Sequence, residues 1–213
     1  MALATGALWR HDGAGRVTMT PAPGAEPGRV LTPDDIMAGQ RPEGPLVIYD
    51  DDHYYMGNVI AELLRAEGHV VTLATPALCV ARWTEHTLEQ AKIERRLVEL
   101  GVDILTRHQL VAVEDGAVEL LETLKGASVT LNGALVSVTA RLPHDELYYA
   151  LVANSDRLAA AGIQSVRRIG DCFGPATIAA AVYEGHRYAR ELDTEADPDA
   201  VPFKRERFDH DSV

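Results

Sequence analysis

The stretch that most restricts the fold runs from Leu46 to Leu73. Leu46-Val47-Ile48-Tyr49 is an unbroken apolar run, the pattern of a buried strand. Val59, Ile60, Leu63 and Leu64 then recur at helical spacing, Gly68 stops that helix, and His69-Val70-Val71-Thr72-Leu73 reads as a second strand. Strand, helix and strand at this spacing form a β-α-β unit, which points to an α/β fold.

A dinucleotide-binding unit of this kind needs G-x-G-x-x-G across its first turn, so that backbone amides can meet a pyrophosphate. With Gly57 taken as the third glycine, Asp52 and Tyr54 stand where the first two belong. The carboxylates of Asp50, Asp51 and Asp52 are expected to repel phosphate, and the Tyr54 side chain to block close approach. Ala74-Thr75, at the end of the second strand, offers neither an acid for a ribose hydroxyl nor an arginine for a 2′-phosphate. The unit therefore reads as an NAD-binding fold without the NAD-binding function. Asp50 to His53 also gathers four groups able to hold a metal, but consecutive residues on a turn point different ways. Helix capping and polar cover of the crevice is the preferred reading.

Around this unit the chain carries clear punctuation. Residues 11–29 are rich in Gly and Pro and read as a crossover loop. Thr32-Pro33-Asp34-Asp35 is a helix start, with Thr32 as N-cap and two acids on the positive end of the dipole. Residues 83–101 read as one helix with Leu88, Ala91, Leu97 and Leu100 on its apolar stripe and Gly101 as its cap. Val102 to Leu105 is a strand, and Glu114-Asp115-Gly116-Ala117 joins two more in a hairpin. Asn132-Gly133 is a turn signal between the strands at 129–131 and 135–138. Together these strands read as a three-stranded meander completing the domain.

A second organising stretch lies at Ile169-Gly170-Asp171-Cys172-Phe173-Gly174-Pro175-Ala176-Thr177-Ile178. Val166 to Ile169 looks like a strand end, Gly170-Asp171 its tip, and Pro175 a first-turn helix residue. Ile178, Ala181, Val182, Gly185, Ala189 and Leu192 follow at helical spacing. A strand, an acidic tip and a helix amino terminus can hold a nucleotide, with free N–H groups facing an anion and the carboxylate accepting ribose or ribityl hydroxyls. Asp171 acting only as an N-cap is the competing reading, and the pattern alone leaves both open.

Gly170-Asp171, Pro175, Ile178-Ala179, Ala181-Val182 and Gly185-His186-Arg187 resemble the closing motif of the trimethylamine, dimethylamine and histamine dehydrogenase family of NADH:flavin oxidoreductase-like flavoenzymes. These are related to the 2,4-dienoyl-CoA reductases. Ala4-Thr5-Gly6 resembles the end of the last strand before two-dinucleotide flavoproteins cross into their second nucleotide domain. Thr139-Ala140-Arg141-Leu142-Pro143 resembles the Thr-Gly-Arg-x-Pro exit from that domain, with Ala140 replacing Gly, and Val201 to Glu206 resembles the amine dehydrogenase C-terminus.

The resemblance covers nearly the whole chain and implies the C-terminal nucleotide-binding region of that family, ADP/FAD-like plus NAD-like. The fold it implies is Rossmann-like, an FAD/NAD(P)-binding α/β fold with one NAD-like domain inserted in an incomplete ADP/FAD-binding domain. Residues 1–29 would be the first part of the incomplete domain, 30–146 the NAD-like domain, and 147–213 the second part with its tail. ADP or FAD is implied to contact Thr5, Gly6, Gly170, Asp171, Thr177 and Ile178. FMN and an iron-sulfur cluster are implied only in an N-terminal barrel that these residues lack, and an electron-transferring flavoprotein is an implied docking partner. A non-catalytic scaffold subunit or truncated reading frame, and an FAD/NAD(P)-dependent reductase domain, are the alternatives.

Composition narrows the partners. Thirty-two acidic against 20 basic residues give a net charge of -12, which argues against nucleic acid and anionic membrane. No apolar run reaches transmembrane length, and the two cysteines, Cys79 and Cys172, make no disulfide framework or metal spacing, so a cytoplasmic setting is expected. No nucleophile elbow, zinc spacing, phosphate loop or redox cysteine pair appears, and no catalytic residue is assigned. A sheet opening at Ala2-Leu3 should leave Leu3, Ile169 and Ile178 uncovered, so the chain is expected to be a homo-oligomer or to need a second polypeptide supplying the Gly-rich loop.

Overall fold

Residues 1–192 are described by a computed structural model in which the chain divides into two units, Met1–Ala7 with the chain from Leu142 onward, and Leu8–Arg141. The resemblance noted at 201–206 lies outside the described residues.

The chain opens with two very short strands, β1 (Ala2–Leu3) and β2 (Ala7–Trp9). A third, β3 (Val30–Leu31), precedes helix α1 (Pro33–Met37), whose start follows the sequence reading. Thr32 and Asp35 form a reciprocal capping box, satisfying two amides that a helix end leaves without partners. The β-α-β unit follows as β4 (Leu46–Asp50), α2 (Met56–Ala66) and β5 (Val71–Ala74). Ile60, Ala61 and Leu64 form the buried face of α2, while Val59, expected on that face, is half exposed.

The single helix expected over 83–101 is broken. A 3-10 turn at Arg82–Glu85 is followed by Leu88 in the left-handed region (φ 61°) and 93% exposed, and only then by α3 (Gln90–Glu99). Leu88 thus leaves the stripe, whose buried anchor is Leu97, with Ile93 and Leu100 packed against the same core.

After β6 (Asp103–Leu105) come β7 (His108–Glu114), β8 (Ala117–Glu122) and β9 (Ala127–Asn132), an antiparallel three-stranded meander, then β10 (Ala134–Val138). Asn132-Gly133 is therefore not a hairpin turn. β10 enters the parallel sheet in the order β3-β10-β4-β5-β6, and the Asn-Gly step passes the chain from one sheet to the other. Close approach requires a glycine there, because a β-carbon on Gly133 would sit 2.5 Å from the Pro45 carbonyl oxygen.

All five residues of β4 are buried, as expected where both sheet faces are covered. Leu46 and Ile48 pack toward Ile60, Leu64 and Leu97, whereas Val47 and Tyr49 pack toward Leu110, Val118 and Leu120 of the meander. The larger unit is an α/β fold of mixed sheets, with helices on one face of the parallel sheet and the meander on the other.

The chain continues through β11 (Arg141–Pro143), α4 (Glu146–Val152), α5 (Ser155–Ala160), β12 (Arg167–Arg168), a 3-10 turn at Gly170–Cys172 and α6 (Ile178–Glu191). In the smaller unit β1 pairs in parallel with β12, Ala2 opposite Arg167 and Leu3 opposite Arg168. Its helix starts at Ile178, not at Pro175, which stands in the loop before it. No residue of α4, α5 or α6 is buried; among the described residues of this unit only Leu3 and Cys172 are. No described helix is long and apolar enough to cross a membrane.

Candidate functional site

At the carboxyl end of β4 the chain turns through Asp50, Asp51, Asp52 and His53, all four essentially buried. None of the carboxylates caps α2: its N-cap, Tyr55, makes no side-chain cap bond. Asp50 Oδ1 instead accepts from the backbone N–H groups of Asp52 (3.1 Å) and His53 (2.9 Å), closing the turn on itself. Its Oδ2 has no partner among the described atoms. Burial pushes this carboxyl up to about 6, against the lowering pull of the His53 amide and imidazole.

Gly57, which the sequence offers as a fingerprint glycine, has a different use. A β-carbon there would lie 2.7 Å from Asp50 Cγ, so the glycine makes room for the carboxylate. Gly15 does the same for Asp51, whose Oδ2 would be 2.4 Å from an added β-carbon.

Asp51 ties the loop at 11–29 to the sheet. Its carboxylate accepts from the N–H groups of Val17 (3.0 Å to Oδ1) and Thr18 (2.9 Å to Oδ2), and His53 Nε2 lies 3.0 Å from Oδ1. Next to it, Thr18 Oγ1 and Tyr49 Oη are 2.9 Å apart, and burial raises the Tyr49 phenol well above its ordinary value. Arg16 donates from Nε to the Asp52 carbonyl (3.0 Å) and from Nη2 to Asp52 Oδ1 (3.2 Å), and its guanidinium lies 4.9 Å from the centre of the Trp83 ring.

His53 Nδ1 is 3.4 Å from Thr75 Oγ1, so hydroxyl, imidazole and carboxylate stand in a row. The row is structural. Thr75 is fully buried and its hydroxyl oxygen also accepts from Ala77 N–H at 3.2 Å, leaving no exposed nucleophile. Among the described residues no group of three or more His, Cys, Asp or Glu is placed to hold a metal. The sequence reading missed the Arg16–Trp83–Asp52 arrangement, because nothing in the spacing of a Gly-rich loop tells which arginine folds back onto the sheet.

The six positions implied as cofactor contacts all fall in the smaller unit. Thr5 Oγ1 donates to the His144 carbonyl and lies 3.1 Å from Cys172 Sγ, which brings the Ala4-Thr5-Gly6 segment against the Gly170–Cys172 turn. Gly6 (φ 79°) has open space where a β-carbon would stand, and a β-carbon on Gly170 (φ 61°) would lie 3.7 Å from Ala181 Cβ. Asp171 Oδ1 accepts from Ala176 N–H at 3.1 Å, so it holds the loop before α6 rather than the helix itself. Thr177 is the N-cap of α6 without a side-chain cap bond, and Ile178 is 77% exposed. Of the positions expected to lie uncovered, Ile178 is open and Ile169 half-buried, whereas Leu3 is buried.

In the larger unit, a parallel sheet covered by helices on one face and by a meander on the other defines an α/β domain, and known proteins carry it. Residues 31–161 match the family described as the OYE-like second alpha/beta domain, and the chain belongs to that family. It is 36% identical to dimethylamine dehydrogenase of Hyphomicrobium sp. (strain x), over 96% of this chain and 31% of that protein. Histamine dehydrogenase from Rhizobium sp. 4-9 is similar with a TM-score of 0.89 and 45% identity, over 96% of this chain and 32% of the other. The 6-hydroxypseudooxynicotine amine oxidase of Pseudomonas geniculata N1 gives 0.84 and 38%, over 91% and 29%. The chain thus spans about a third of the length of these relatives.

Proposed function

We propose that the chain is the nucleotide-domain portion of a flavin-dependent amine dehydrogenase or similar NADH:flavin oxidoreductase-type enzyme, with a structural or electron-transfer-docking role and no complete active site of its own. The observation that carries this reading is the likeness to two amine dehydrogenases over 96% of the chain but only about a third of their length. On this reading the larger unit is the NAD-like domain and the smaller one part of an ADP/FAD-like domain, both Rossmann-like. FMN and an iron-sulfur cluster, the groups that would move electrons, belong to a barrel outside these residues.

The smaller unit suits a partial ADP or FAD site. Gly6 leaves backbone approachable, the start of α6 points the N–H groups of Ile178 and Ala179 toward an anion, and Asp171 supplies acceptors for hydroxyls. A pyrophosphate needs a Gly-rich loop in addition, and the proposal assigns that loop to another stretch of polypeptide.

Calorimetric titration of the 213-residue chain tests the reading. ADP binds with a dissociation constant no tighter than about 1 mM, Asp171→Ala removes what binding there is, and NADH gives no heat. Micromolar NADH binding, or ADP binding indifferent to Asp171→Ala but lost on changing Tyr54, would overturn it.

A further inference from the structure

We propose that the cleft at the carboxyl ends of β4 and β5 in the larger unit binds a small aromatic monocarboxylate. The inference is independent of the proposed function, since it rests on the larger unit alone.

The cleft encloses about 440 Å³ and is lined by Arg16, His53, Arg82, Val17, Leu78 and Trp83, among others. That volume falls in the range of organic-ligand sites, and the carboxyl edge of a parallel sheet is where open α/β folds take ligands. Its lining charges are all of one sign or neutral. Asp50, Asp51 and Asp52, which by sequence alone would repel an anion, are turned inward and none lines the cleft.

Two guanidinium groups are left facing it. Arg16 is fixed by its bonds to Asp52 and its stack on Trp83, while its Nη1 stays outside those bonds. Arg82 has no carboxylate within ion-pair distance among the described residues. A guanidinium already held in place binds a carboxylate with little further loss of side-chain freedom, and its planar fork matches the two oxygens. Leu78 and Trp83, 53% and 42% exposed, offer apolar surface for the body of the ligand.

The acidic turn behind the arginines sets the charge limit. Arg16 is already paired with Asp52, so Arg82 is the guanidinium left to balance one negative charge, and the second charge of a phosphate dianion would face the carboxylates behind it without the backbone amides that a phosphate loop supplies. The site therefore selects a monocarboxylate over phosphate.

The test is calorimetric titration of the full chain with biphenyl-4-carboxylate, its neutral carboxamide and inorganic phosphate. The carboxylate binds, the carboxamide binds about tenfold more weakly or not at all, and phosphate does not displace the carboxylate. Arg82→Ala, a change at an exposed side chain, weakens the carboxylate about tenfold while circular dichroism stays unchanged, and Arg82→Lys loses less. Equal binding of acid and amide, full affinity in Arg82→Ala, competition by phosphate, or no heat from the carboxylate at millimolar concentration would each overturn the proposal.

Discussion

Asp50 is a buried carboxyl whose one oxygen accepts hydrogen bonds from two backbone N–H groups and whose other has no described partner, and its stability consequence has a definite sign. Its folded value, about 6, lies above the ordinary 3.8, so between those values the native state holds a proton that the unfolded chain has released. Stability is therefore greatest at the acid end of that window and falls as pH rises through about 6, by an amount on the order of 3 kcal/mol for the whole shift. Urea denaturation from pH 4 to 7 should show this fall, and the Asp50→Asn variant should lack it; parallel profiles for the two proteins would refute the assignment. Gly57→Ala places a methyl 2.7 Å from Asp50 Cγ and should destabilise by about 1–3 kcal/mol in the same assay. The sequence marks Gly57 as a position that needs space but is silent on what fills it. It could not show that the filler is a carboxylate from the preceding strand rather than a phosphate.

At the scale of elements, what was legible is what repeats. The apolar run of β4, the positions Ile60 and Leu64 of α2 and the Thr32 cap are local patterns, and the structure has them where the sequence put them, whereas Val59, read on the same face, is half exposed. The misreadings arose where one backbone angle decides the course of the chain. Leu88 carries the right side chain at the right spacing for a helix, yet its φ of 61° breaks the turn and sends the side chain into solvent. Left-handed backbone costs a leucine about 1–2 kcal/mol and a glycine almost nothing. Leu88→Gly should accordingly raise stability, with a denaturation midpoint above that of the parent, and a lower midpoint would mean that Leu88 packs against something. Asn132-Gly133 misled in a similar way. The dipeptide favours a tight hairpin, but long-range pairing of β10 with β3 and β4 wins, and no local signal reports it.

At the scale of the whole molecule, the two units differ in how they are held together. The larger has two buried clusters, one on each side of its parallel sheet. The smaller buries only Leu3 and Cys172 among its described residues, and Leu142, Phe173, Ile178 and Val182 are each more than half exposed. Side chains exposed in this way would be covered if further polypeptide packed on this unit. Its proposed cofactor positions rest on motif resemblance, and burial alone would not single them out, because Gly6 and Gly170 have no side chain to bury. The proposal that this unit is completed by further polypeptide is tested most directly by gel filtration of the purified chain with light scattering and absorbance detection. A colourless protein eluting above its 23.1 kDa monomer mass is expected, because exposed apolar faces associate and a partial cofactor site would not retain flavin. A monomer that carries flavin through the column would contradict it.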